Sequence, residues 1–156
     1  MKAMALVREL QAARAYRVRD WHSFEQLIPA APGVYRFTNA DGLRVYVGET
    51  SDLRERLRYQ VVGARIDNPG WKPRPSVGGV NLVNKVAKDQ RDGRGWSSYE
   101  IDPSDPTEIE ALNATLDAID GLSVQWVECP DGKNKRERVE HLADRCVFDG
   151  RCRCRS

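Results

Sequence analysis

Two tyrosines and an arginine stand close together in this sequence, each in a setting that could give it chemical work. Tyr35 closes the triplet Gly33-Val34-Tyr35, Tyr46 opens the triplet Tyr46-Val47-Gly48, and Arg56 follows within Asp52-Leu53-Arg54-Glu55-Arg56-Leu57. A phenol has an ordinary pKa of about 10, so a tyrosine serves as a base near neutrality only where cations favour its phenolate. Arg44, Arg56 and the lysines further along are the cations at hand. A guanidinium such as that of Arg56 can grip a phosphate through two parallel hydrogen bonds. Cleaving a phosphodiester needs an activated water, a group that holds the non-bridging oxygens as charge develops, and a metal or acid for the leaving oxygen. Plainer roles exist for the same residues: the tyrosines as a cross-strand aromatic pair, and Arg56 as an ion-pair partner of Asp52 one helical turn earlier.

The elements that would position them follow from the surrounding pattern. Val34 to Thr38 and Leu43 to Val47 are rich in β-branched and aromatic side chains, and Asn39-Ala40-Asp41-Gly42 between them supplies turn chemistry, which predicts a hairpin. Ser51 or Asp52 can cap a helix whose buried stripe is Leu53, Leu57 and Val61, leaving Arg54 and Arg58 toward water. Upstream, Ala3, Leu6, Leu10 and Ala13 predict an amphipathic helix ending before Asp20, and Ser23 can cap a short helix that Pro29 and Pro32 stop.

Downstream, Gly63 to Gly79, with Asn68-Pro69-Gly70, Pro73 and Pro75, is expected to be a long irregular loop. Trp71, beside Lys72 and Arg74, could stack on an unpaired base or plug the loop onto the core. Asn81 to Gln90 predicts a helix, along which Lys85, Lys88 and Arg91 could track phosphates, and a strand is expected near Trp96 to Ile101. Pro106-Thr107 opens a helix with Thr107 as cap and Ile109, Leu112, Leu116 and Ile119 as its periodic face. Leu122 to Cys129 predicts a third strand, and Val139, Leu142, Ala143 and Cys146 define the buried face of a last helix.

A chain of 156 residues is the size of one domain with one core. No apolar run is long enough to cross a bilayer and no secretory signal opens the chain, so a soluble, cytoplasmic protein without membrane association is expected. The four cysteines, Cys129, Cys146, Cys152 and Cys154, suit reduced thiols better than a disulfide framework. Cys146, Cys152 and Cys154 with either Cys129 or His141 could alternatively make a tetrahedral zinc site, although the spacing is not the usual paired one. Charge is unevenly spread: basic residues outnumber acidic ones seven to three from Arg65 to Arg94, while Glu100 to Asp120 holds seven acidic residues and no lysine or arginine. The tail adds Arg151, Arg153 and Arg155. One face could hold a polyanion while the acidic segment points away.

The order of the two triplets and the arginine-rich helix resembles the GIY-YIG nuclease family, and the resemblance runs from Leu27-Ile28-Pro29 through Leu57. It implies an α+β fold: a small, mainly antiparallel three-stranded sheet flanked by helices. The whole chain, 1–156, would be one nuclease domain, with 1–30 an added N-terminal helical extension and 63–95 a long insertion contacting substrate. The implied activity is metal-dependent endonucleolytic hydrolysis of DNA, double-stranded or branched, leaving a 5′-phosphate and a 3′-hydroxyl.

The resemblance also assigns roles. Tyr35 would act as general base or position the water, Tyr46 would complete the pocket beside it, and Arg56 would bind the scissile phosphate. Glu140, within Arg138-Val139-Glu140-His141-Leu142, would ligate one Mg²⁺ or Mn²⁺, a cation that needs few protein carboxylates. Alternatively Glu140 pairs with Arg136 on the surface, leaving Glu137 or Glu128 to the metal. Arg44, Lys72, Arg74, Lys85, Lys88 and Arg91 are the candidate nucleic-acid contacts.

The chain departs from the family at two points. The family tends to carry a His or Tyr four residues after the arginine, whereas Gln60 stands there, with Tyr59 one residue earlier as a potential substitute. Relatives often have an asparagine about a dozen residues after the glutamate, where this chain has Cys152. These departures motivate a second expectation, a catalytically inactive nucleic-acid-binding module on the same fold. A third is a partner-binding domain using the acidic helix from Glu108 to Asp120. With one active site per chain, cutting both strands implies a homodimer or repeated action.

Overall fold

The structure is a computed structural model that describes residues 2–63, 65, 81–90 and 104–146. In chain order the elements are α1 (Ala3–Ala12), β1 (Tyr16–Arg17), α2 (Trp21–Phe24), β2 (Gly33–Thr38), β3 (Arg44–Thr50), α3 (Leu53–Val62), α4 (Asn81–Gln90), α5 (Pro106–Asp120), β4 (Ser123–Glu128) and α6 (Lys133–Cys146). The described residues fall into two compact units, one within 1–56 and 122–156 and the other within 57–121.

The first unit is built on one antiparallel sheet in the order β1-β4-β2-β3. The α+β class and the antiparallel sheet are as expected, but the sheet has four strands. The extra one, β1, arises where the sequence pattern had predicted continued helix. α1 stops at Ala12 because its terminal carbonyls find partners in the sheet: the Gln125 side-chain amide donates to the carbonyls of Gln11 at 3.2 Å and Ala13 at 2.6 Å. Tyr16 then stacks on Trp126 and Phe24, with ring centroids 5.2 and 4.9 Å away. That aromatic packing holds the chain extended against local helical preference. Ser23 is not a cap; it lies inside α2 and its hydroxyl donates to the Asp20 carbonyl at 2.6 Å.

The hairpin of β2 and β3 turns on Asn39, whose side-chain oxygen accepts from the amides of Asp41 and Leu43, with Gly42 in the left-handed region at φ 75°. Just past it the pairing slips: Phe37 faces Tyr46 and Thr38 faces Arg44, so Val45 is an extra residue, a β-bulge.

Strand alternation then sorts the side chains onto two faces. Val34, Val47 and Val127 pack with Leu6, Val7 and Leu10 of α1 and Val139, Leu142 and Ala143 of α6 in one buried cluster. Tyr35, Phe37, Tyr46, Gly48 and Trp126 share the opposite face. Within the covered face, Arg36 is buried and donates through Nε to Gln125 Oε1 at 2.6 Å.

In the second unit α4 has the bounds expected of it, burying Leu82, Val83, Val86 and Ala87. α5 packs against α4 and buries Leu112, Leu116 and Ile119. Its cap is Asp105 rather than Thr107: the Asp105 carboxylate accepts from the Thr107 amide at 2.9 Å, with Pro106 at the first helical position. Arg65 donates to the Val61 carbonyl at 2.8 Å and pairs with Asp120. The strand expected near Trp96 to Ile101 lies outside the described residues, as do residues 64 and 66–79 of the predicted loop and the cysteines at 152 and 154. No helix among the described residues is long and apolar enough to cross a membrane.

Candidate active site

The two triplets form a single piece of packing. The register sets Tyr35 opposite Gly48 and Gly33 opposite Thr50. A Cβ added at Gly48 would lie 2.3 Å from the Tyr35 hydroxyl oxygen and 2.5 Å from Cζ, so the tyrosine ring occupies the space a side chain would need. A Cβ at Gly33 would meet the Val127 carbonyl at 2.3 Å and Leu53 Cδ1 at 2.5 Å. Each glycine therefore permits a close approach, of a phenol ring in one case and of a neighbouring strand and the first residue of α3 in the other. Tyr35 is 1% exposed; its ring stands edge-on to Phe37 at 6.0 Å and tilted to Tyr46 at 6.3 Å.

The start of α3 is anchored beside the hairpin. Asp52 caps it, accepting from the Glu55 amide at 3.1 Å. The Leu53 amide donates to the Ala31 carbonyl at 2.9 Å, and Arg54 donates through Nε to the Ile28 carbonyl at 2.7 Å. Arg54, expected in water, is thus half-buried and tied to the segment before β2. Arg56, one position past this anchored turn, is exposed. No ion pair joins Arg56 to Asp52 among the described residues; the link between them is the helix hydrogen bond from amide to carbonyl at 3.0 Å.

Residues 59 and 60 diverge. Tyr59 is 44% exposed. Gln60 is fully buried, and its Oε1 accepts from the Leu82 amide at 2.9 Å, satisfying one of the donors that the first turn of α4 leaves open. Four residues after Arg56 the helix therefore carries a buried amide with a structural task.

Glu140 lies on the α6 side of β3. Arg136, Glu140 and Asp144 recur at four-residue spacing along α6, and the outer two engage the strand: Arg136 Nε bonds Glu49 Oε2 at 3.0 Å, and Arg44 pairs with Asp144. The alternative pairing of Arg136 with Glu140 is not what the structure has. Arg44 reaches Asp144 because the bulge at Val45 turns it away from the face that carries Tyr46.

Pairing of Tyr35 with Gly48 directs the Glu49 amide away from β2, to the outer edge of the sheet. The half-buried Glu140 carboxylate is held above the ordinary range by burial first, then by the negative charges of Glu49, Asp144 and Glu137, with an opposing contribution from the Glu49 amide. It accordingly sits at the border between the two faces.

Hard oxygen donors in excess negative charge suit a cation such as Mg²⁺, and Glu49 is already held by Arg136, which leaves Glu140 as the carboxylate for it. The described residues contain no cluster of three or more acidic, histidine or cysteine side chains able to enclose an ion. Water would have to supply most of the coordination. Cys129 is buried in the core cluster and His141 is exposed.

Tyr35, Tyr46, the first turn of α3 with Arg56, and Glu140 thus all belong to the first unit. Lys85 and Lys88 are exposed on α4 in the second unit, while Lys72, Arg74, Arg91 and Trp71 lie outside the described residues. Sequence reasoning missed Glu49 and Asp144. The four-residue spacing of Arg136, Glu140 and Asp144 could have flagged a shared helix face, but the bulge that delivers Arg44 to it has no sequence signal.

The chain is similar over part of its length to UvrABC system protein C of Chlorobaculum tepidum, with 55% identity over 31 residues, 20% of this chain and 5% of that protein. It is also similar to UvrABC system protein C of Nitrosomonas europaea, with 37% identity over 68 residues, 44% of this chain and 10% of that protein. The matches span a small fraction of either relative's length. No family model matches the chain, and no solved structure matches it.

Proposed function

We propose that this chain is a GIY-YIG-type endonuclease that hydrolyses phosphodiester bonds of double-stranded or branched DNA. The observation that carries this is the closure of Tyr35 onto Gly48, which makes the two triplets one unit and brings two phenols within 6.3 Å beside the helix that presents Arg56. The partial similarity to UvrABC system protein C supports it.

The buried Tyr35 hydroxyl orients or deprotonates the attacking water, and Tyr46 closes the other side of that pocket. Arg56, exposed and free of carboxylate partners among the described residues, binds the non-bridging oxygens of the scissile phosphate. Glu140 would hold Mg²⁺ or Mn²⁺, a cation whose chemistry is to stabilise charge on a leaving oxygen. Tyr59, exposed one residue before the buried Gln60, is the nearest candidate for a proton carrier on α3. The chain acts as one domain in the cytoplasm, with the basic segment from Lys72 to Arg91 adding phosphate contacts and a homodimer providing for double-strand cutting.

A second reading, an inactive DNA-binding module, is favoured by one observation: Gln60 is committed to capping α4 and cannot carry a proton. Incubating supercoiled plasmid with Mg²⁺ or Mn²⁺ and the protein, Arg56→Ala or Glu140→Ala separates the two. Nicking lost in both variants supports the nuclease. Salt-sensitive binding without cleavage, on plasmid and on branched or single-stranded DNA alike, supports the module.

A further inference from the structure

β4 is paired unevenly along its two sides. β2 accompanies it from Ser123 to Glu128, whereas β1 contributes only Tyr16 opposite Val124 and Arg17 opposite Ser123. The Cys129 amide donates to the Pro32 carbonyl at 2.8 Å, so Val127 and Gln125 also turn their main-chain groups toward β2. The N–H and C=O of Trp126 and Glu128 therefore point the other way, past the end of β1. Arg14 would be the next rung opposite Trp126, yet no main-chain hydrogen bond joins them among the described residues. Its guanidinium sits instead over the Tyr16 ring, 4.9 Å from the centroid.

A groove of about 520 Å³ runs along this stretch. Ala12 and Ala13 at the end of α1 form one wall and Leu27 with Pro29 the other, with Trp126, Val127 and Glu128 between. Leu27 is 58% exposed, the most exposed large apolar side chain among the described residues. The two ionisable residues that line the groove are both glutamates, Glu9 and Glu128. Unpaired strand-edge groups, an apolar wall and small residues opposite are what an extended peptide needs to add itself as a strand. The acidic lining disfavours a nucleic acid and selects cationic side chains.

We propose that this groove docks an extended segment of a partner protein, in which lysines or arginines alternate with apolar residues and which continues the sheet from β1 along Trp126 to Glu128. Alternate side chains of such a strand fall on opposite faces. One set meets Leu27 and Trp126, and the other meets the end of α1.

The probe is a capped peptide of alternating lysine and valine, titrated into isotope-labelled full-length protein and followed by NMR. Saturable shifts centred on the Trp126 and Glu128 amides and the Trp126 indole are expected. Affinity should fall at least tenfold in the Glu9→Lys, Glu128→Lys double variant, whose sites are exposed, and in Leu27→Ser. It should also fall when alternate peptide amides are N-methylated, because strand addition uses those donors. Four outcomes overturn the proposal: no saturable shift up to millimolar peptide, equal binding of the N-methylated peptide, shifts of the same residues by a DNA duplex, or concentration-dependent shifts there without peptide, which would identify a second copy as the occupant.

Discussion

The Tyr35 ring lies over Gly48 so closely that its hydroxyl oxygen stands 2.3 Å from where a Cβ would be. The glycine of the second triplet is therefore required by the tyrosine of the first, a dependence across the hairpin rather than along the chain.

Gly48→Ala is expected to destabilise the protein by about 1–3 kcal/mol, because a methyl group must push a buried aromatic ring off its rotamer. Cleavage should be lost with it. Gly121→Ala, where the nearest atom is a carbonyl at 3.4 Å, provides the comparison and should change stability far less. Urea midpoints with unchanged slopes would measure both; equal midpoints for Gly48→Ala and the parent would contradict the packing.

Arg56→Ala should leave stability within about 0.5 kcal/mol of the parent, since the side chain is exposed. Plasmid nicking should nevertheless drop by about 10²-fold or more, the usual effect of removing a group that stabilises developing charge. Thermal unfolding and cleavage measured on one preparation would test the separation. A large stability loss would assign Arg56 a structural role instead.

Gln60→Leu keeps the buried volume but strips the acceptor from the Leu82 amide. An unsatisfied buried donor costs about 1–3 kcal/mol. The lowered unfolding midpoint should be accompanied by faster hydrogen exchange in the first turn of α4, and unchanged exchange there would argue against the cap.

Glu140 has a folded-state pKa above its ordinary value of 4.5, with burial the main cause and neighbouring carboxylates next. Between the unfolded and folded values the native state holds the extra proton. Stability should therefore fall as pH rises from the ordinary carboxylate range through the raised one and level off above it. Glu140→Gln should lose that part of the decline, as seen in urea unfolding from pH 4 to 8. At neutral pH, Mg²⁺ should raise the midpoint of the parent and not of the variant. Identical pH profiles for the two proteins would be inconsistent with the charge environment.

Local chemistry announced much of this architecture. Asn39 and Gly42 announced the hairpin, Leu53, Leu57 and Val61 the buried stripe of α3, and the pattern of Asn81 to Gln90 the full length of α4. What escaped sequence reasoning depends on groups distant along the chain. Gln125, more than a hundred residues from Gln11, ends α1 and so frees Tyr16 to become a strand. The bulge at Val45 takes Arg44 from the tyrosine face to Asp144. At the candidate site, Tyr35, Tyr46, Arg56 and Glu140 were singled out from the sequence. The engagement of Arg136 with Glu49, and of Gln60 with the Leu82 amide, was not, because each joins groups on elements with no local link.

Every residue of β2 is buried, so hydrophobicity alone cannot tell the strand which face is which. Shifted by one residue, it would still bury an apolar set. Two specific fits forbid the shift. Arg36 would leave the Gln125 side-chain oxygen and enter an aromatic layer, and the Tyr35 ring would come over Val47 or Glu49 in place of the one residue small enough to receive it. The same glycine that makes room for a phenol in the candidate site thus also acts as an alignment key for folding, and variants at Gly48 should populate misregistered hairpins as well as lose function.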